Sequence, residues 1–193
     1  MNSDNYYKSK AHQFFEQTHN LDMSAICLKF INYLRPGSKI LDAGCGSGRD
    51  SQYFINEGYQ VYAFDSSEEM AALASKHIGQ KVHVLEFSKM TFKEEFDGVW
   101  ACASLLHLDS DSLVQTLSAV YSSLVGNGIL YCSFKLGNFE GYRGDRYFKD
   151  LQELDLKVYL SNAGFSILDI WITGDVRISN DQLWLNALAK KLI

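Results

Sequence analysis

The stretch KILDAGCGSGRDS, residues 39–51, places Asp42 at the end of an apolar run and then Gly44, Gly46 and Gly48 at every second position. Glycine carries no Cβ, so the backbone there can take positive φ and a ligand can approach the main chain itself. A helix starting directly behind the turn would offer its unpaired N–H groups to an anionic part of that ligand. Asp65 closes the next apolar run, VYAF. A carboxylate in that place can accept both hydroxyls of a ribose. A first-turn helix acid is the plainer reading of Asp65 alone; the glycine turn ahead of it tips the balance to ribose. A nicotinamide dinucleotide would call for G-x-G-x-x-G. The run here, GCGSG, is one residue shorter and has an acid two positions ahead of it. A negative charge beside the turn suits a cation or an amine better than a pyrophosphate.

The elements that must position these groups follow from periodicity. Helices are expected over 6–17 and 22–34, the second stopped by Pro36 and Gly37. Strands are expected at KILDA, QVYAFD, KVHVLEF, FDGVWACA and ILYCSF. Between them, helices are expected over about 50–57, over SEEMAALASKH and over DSLVQTLSAVYSSL, with GNG turning into the fifth strand. Residues 136–148 read as a polar loop and 149–162 as a helix, before the strand FSILDIWIT. The tail LWLNALAKKL fits either period and reads best as a strand pairing back on its predecessor. Such alternation predicts an α/β, Rossmann-like, doubly wound and mostly parallel sheet with helices on both faces, its ligand beyond the carboxyl ends of the strands.

Composition bounds the partners. The chain of 193 residues has 18 Lys+Arg against 23 Asp+Glu, a net charge of -5. That balance argues against nucleic acid as a partner. The cysteines (Cys27, Cys45, Cys102, Cys132) have no metal spacing, so no metal is expected, and they read as reduced buried thiols. With no apolar leader and no run of membrane-spanning length, a soluble, cytoplasmic single domain is expected.

ILDAGCGSG followed by VYAFD resembles the nucleotide-binding half of the class I S-adenosylmethionine-dependent methyltransferases, whose order residues 39–134 follow. GSGRDS and GYQVYAFDSS are similar to the small tellurite-resistance-type members. The resemblance implies a seven-stranded sheet with an antiparallel last strand. It implies a helical lid over 1–36, a cofactor core over 37–134, and substrate loop, last helix and strands over 135–193. S-adenosyl-L-methionine would be wrapped by Gly44, Cys45, Gly46 and Gly48, with Arg49 beside them. Asp42 would stand near its amino or sulfonium end and Asp65 at its ribose. Ser66 and Met70 would pack beside ribose and adenine, Glu86 and Phe87 on the adenine. Ala101, Ser104 and His107 would lie near the transferable methyl, and Tyr7 or Phe15 would touch the ligand from the lid.

Methyl transfer from a sulfonium is an in-line displacement, driven mainly by alignment and exclusion of water. A base is needed only for an acceptor proton of high pKa. His107 is the candidate, set against an ordinary structural histidine; His12, His19, His77 and His83 read as structural. The stretch KLGNFEGYRGDRYFKD brings Lys135, Tyr142, Arg143, Arg146 and Tyr147 to where such a sheet meets its substrate, suited to a carboxylate, a phosphate or an aromatic acceptor. A solvated loop is the plain reading. Arg177 and Trp184 would close the pocket from the C-terminal side. A small-molecule acceptor is expected, against an RNA or protein methyltransferase, a non-catalytic cofactor-binding partner protein and, more remotely, a dehydrogenase.

Overall fold

The computed structural model describes residues 4–177 and 181–192, with side chains from Lys10 onward. Helices α1 (Asp4–Thr18) and α2 (Ser24–Ile31) lead into β1 (Lys39–Ala43), α3 (Arg49–Asn56), β2 (Gln60–Asp65), α4 (Glu68–Ile78), β3 (Val82–Val84) and β4 (Phe96–Ala101). Then come α5 (Ser110–Ser123), β5 (Leu124–Lys135), β6 (Glu140–Arg143), β7 (Arg146–Lys149), α6 (Glu153–Asn162), β8 (Phe165–Gly174) and β9 (Leu183–Lys191). Seven strands form one sheet in the order β3-β2-β1-β4-β5-β9-β8. β1 pairs with β2 and β4 in parallel, whereas β9 runs antiparallel to both β5 and β8. The expected architecture and the strand assignment of the tail both hold. Among the described residues, no helix is long and apolar enough to cross a membrane.

Alternation along the central strands explains why both faces are covered. Leu41, Val99 and Leu130 point to one face, where Leu113, Leu117 and Val120 of α5 and Leu156 and Leu160 of α6 cover them. Ile40, Trp100 and Tyr131 point to the other, against Phe30 of α2 and Phe54 of α3. Gly98 separates the two inward rings of β4 because Phe30 already fills the space; a Cβ there would stand 2.7 Å from its ring. The sheet order reverses between β1 and β4, which opens the crevice where a ligand of such a fold sits.

Several elements differ from the expectation. The third strand is only Val82–Val84, because Phe87–Lys89 turns into a 3-10 segment and takes Glu86 and Phe87 off the sheet. α2 stops at Ile31, ahead of the expected end, and the fourth strand stops at Ala101. GNG is no break: β5 runs continuously from Leu124, with a register irregularity against β4 and Asn127 at φ 69°. The expected loop contains a hairpin, β6 on β7, turned through Gly144 at φ 62°. α6 begins only at Glu153, where Gln152 and Asp155 form a reciprocal cap.

Candidate active site

The turn behind β1 is held by main-chain bonds. The N–H groups of Gly44 and Cys45 both donate to the Phe64 carbonyl, at 3.0 and 2.9 Å. The Gly46 N–H donates to Asp65 Oδ2 at 2.9 Å and the Ser67 N–H to Asp65 Oδ1 at 3.0 Å. Asp65 thereby ties the first turn to the second. Gly44 takes φ 78°, and its Hα side faces Ser104, whose Cβ would lie 2.6 Å from an added Cβ. Ser104 Oγ donates to the Ala43 carbonyl at 2.7 Å, closing the loop behind β4 onto β1. That loop bends through Ala103 at φ 51°, an unfavourable value for a residue with a Cβ, and its N–H donates to Ser133 Oγ at 2.9 Å.

Beneath the turn lie two buried carboxylates. Asp42 accepts from Ser51 Oγ at 2.6 Å; burial, reinforced by the Asp50 charge, pushes its carboxyl up to about 8. Asp50 accepts from Arg49 Nε at 2.6 Å and from Trp100 Nε1 at 2.8 Å. Arg49 also reaches Cys102 Sγ at 3.8 Å. Burial likewise raises the Cys102 thiol, to about 12, and the Cys45 thiol. Neither cysteine is a thiolate near neutral pH.

These groups open on a cavity of about 610 Å³ at the carboxyl ends of the central strands. That is ample for a nucleoside-sized ligand. Asp42, Gly44, Cys45, Gly46 and Arg49 line it from the first turn, Asp65 and Ser66 from the second. Glu86 and Phe87 follow β3, with Glu86 bonded to Lys89 at 2.6 Å. Phe14 and Thr18 of α1 cover this end, whereas Phe15 stacks on His19. Ser104 lines it beside Gly44, and His107, Lys135, Arg146, Arg177 and Trp184 complete the lining.

His107 donates from Nδ1 to the Tyr147 carbonyl at 2.7 Å, since a carbonyl can only accept. Nε2 then carries the lone pair. Burial pulls the imidazole down to about 4, opposed by the Tyr147 bond and reinforced by the Arg146 and Lys135 charges. The ring is neutral near pH 7. Phe148 stands 4.8 Å from it, edge to face.

Other expected residues lie off the cavity. Gly48 caps α3, where a Cβ would meet Ile78 at 2.9 Å; it packs α3 on α4. Met70 and Ala101 are buried in the interior. Tyr142 is exposed on the hairpin, and Arg143 is paired with Asp150 at its base. Tyr147 turns its hydroxyl outward to Glu140 at 2.7 Å, leaving only its carbonyl for the site. The side chain of Tyr7 lies outside the described residues. Sequence reasoning missed Asp175, which fixes Arg177 Nε at 2.8 Å and accepts from Trp184 Nε1 at 3.1 Å. The DVR spacing was its only signal.

Residues 40–128 match the family described as methyltransferase domain. A protein of Geobacillus sp. (strain WCH70) named as a methyltransferase is 34% identical over 130 residues, 63% of this chain and 51% of that protein. The chain thus spans about half the length of that curated relative. The crystal structure of Burkholderia thailandensis 1,6-didemethyltoxoflavin-N1-methyltransferase, with 1,6-didemethyltoxoflavin and S-adenosylhomocysteine bound, superposes with a TM-score of 0.82 at 22% identity. The match covers 98% of this chain and 87% of that one. Magnesium protoporphyrin IX methyltransferase from Synechocystis PCC 6803, with bound S-adenosylhomocysteine, gives 0.78 at 18% identity and covers 98% of both chains. At these identities the likeness speaks for the fold.

Proposed function

We propose that the chain, whose residues 40–128 match a methyltransferase domain, is a class I S-adenosylmethionine-dependent methyltransferase and moves a methyl group from S-adenosylmethionine to a small-molecule acceptor. The residues around the acidic end fit that cofactor. A Cβ on Gly46 would point toward Phe14, with its nearest atom 3.7 Å away, so the missing side chain leaves ligand space. Burial and the Asp50 charge outweigh the pull of Arg49 and keep Asp42 largely protonated; a sulfonium or ammonium beside it favours its charged form. Asp65, which accepts from the N–H groups of Gly46 and Ser67, lines the cavity where a ribose hydroxyl would be received. When bound, the cofactor supplies a methyl group on a positively charged sulfur, ready for in-line displacement. The chain's part is to align the acceptor, exclude water beneath Phe14 and the hairpin, and accept an acceptor proton at His107 Nε2 where one must leave.

The observation that carries this reading is the acid-flanked glycine turn, stapled by Asp65 and facing a cavity at the sheet's switch point. Thermal-shift measurements test it. S-adenosylmethionine and S-adenosylhomocysteine are expected to raise the melting temperature by several degrees and NADH by none, because a ligand bound only by the native state stabilises it as RT ln(1 + [L]/Kd). Asp65→Ala is expected to lose most of that ligand-induced increment. Asp65→Asn, which keeps an acceptor for the Gly46 N–H, guards against a trivial folding defect. A wild-type increment in both variants would overturn the ribose assignment.

A further inference from the structure

The cavity is polarised. Asp42, Asp50 and Asp65 gather by the glycine turn, with Arg49 paired to Asp50, whereas Lys135, Arg146 and Arg177 cluster together elsewhere on the lining. Of these three cations, Arg177 is already met by Asp175. Lys135 has no ion pair among the described residues. Its ammonium lies 4.4 Å from the Phe148 ring centroid, and Arg146 approaches the same ring at 5.0 Å. Burial lowers the Lys135 ammonium below its ordinary range, and Arg143, Arg146 and Arg177 add to this against the pull of Asp150. A half-buried ammonium among guanidinium groups is uncomfortable until an anion joins it. Apolar surface adjoins the same spot, from Phe148, Trp184, Leu106 and Leu108.

Resting on the methyltransferase reading, we propose that the acceptor is a small organic anion, its carboxylate or phosphate received by Lys135 and Arg146 and its apolar body lying against Phe148 and Trp184. A consequence reaches the base. Burial is the main force that keeps His107 neutral, and the Arg146 and Lys135 charges add to it, so an anion between those two cations relieves the electrostatic part while acceptor is bound. His107 is then a stronger base in the ternary complex than in the empty enzyme. The two clusters also select in opposite senses, the cationic cofactor at one and the anionic acceptor at the other, which disfavours binding in reversed positions.

The test is isothermal titration of the protein saturated with S-adenosylhomocysteine, using benzoate, phenyl phosphate, benzamide and bulk tRNA as probes. Benzoate or phenyl phosphate is expected to bind at least tenfold more tightly than benzamide, and a preference between the two identifies the anionic group. Lys135→Met is expected to lose that advantage while keeping the S-adenosylhomocysteine affinity; Arg146→Met serves if the first variant folds poorly. Histidine NMR supplies a second readout: the His107 titration is expected to move upward on adding benzoate to wild type, and upward in Lys135→Met without it. Equal binding of benzamide and benzoate, an unmoved His107 titration, or tRNA binding that exceeds both anions at low salt would overturn the proposal and leave the cofactor reading standing. Absence of S-adenosylhomocysteine binding would overturn the cofactor reading, and this proposal with it.

Discussion

Asp42 shows how burial can hold a carboxylate ready for one ligand. Its carboxyl is 3% exposed, accepts one hydroxyl and faces a second acid, so the folded protein prefers it protonated up to about pH 8. The unfolded chain gives up that proton near 3.8. The native contribution of Asp42 is therefore full below about pH 4 and is lost as pH rises through 8. Asp42→Asn removes the loss. In cofactor-free protein the variant is expected to gain on wild type by about 1–3 kcal/mol between pH 5 and 9, read from urea melts as a widening difference between the two. His107 acts in the opposite sense, because its folded value of about 4 lies below 6.5 and its contribution fades as pH falls. Taking the variant minus wild type cancels it. The same substitution is expected to weaken S-adenosylmethionine binding tenfold or more, since a neutral amide does not gain from the cation. Equal affinity of the two proteins would refute a role for this charge.

Secondary-structure elements decide which side chains reach the cavity. The strand β7 alternates, so Arg146 and Phe148 face the site while Tyr147 and Lys149 face Glu140 across the hairpin. Read as a loop, residues 136–148 had no alternation to apply, and the four candidates Tyr142, Arg143, Arg146 and Tyr147 looked equivalent. The polar composition of GNFEGYRGDRYF hid the pairing; the Gly144–Asp145 dipeptide was the available hairpin signal. The glycines were more legible, though their reasons differ. Gly44 and Gly46 serve the turn, whereas Gly48 and Gly98 serve packing. Gly98→Ala is expected to cost about 1–3 kcal/mol through the clash with Phe30. A chemical denaturation curve checks it, and the Phe30→Leu background should recover part of the loss. No such recovery would place the strain elsewhere.

For the molecule as a whole, β9 is the strand that turns a parallel core into a finished sheet. It pairs with β5 from Ile129↔Lys190 to Lys135↔Trp184 and with β8 along its other side. Its side chains Leu185, Ala187, Leu188 and Ala189 are buried. Deleting residues 182–193 is expected to leave β5 and β8 with open edges and to yield aggregated protein, checked by size-exclusion chromatography. A monomeric, cooperatively folded truncation would contradict that dependence. The sequence by itself determined the acid–glycine turn, the aspartate behind the next strand and the two-faced sheet, because each rests on local conformation or on the period of apolar residues. Only the tertiary structure decided that Lys135 and Arg146 meet over the Phe148 ring beside His107. That meeting depends on which elements the packed fold brings together, and no spacing along the chain encodes that distance.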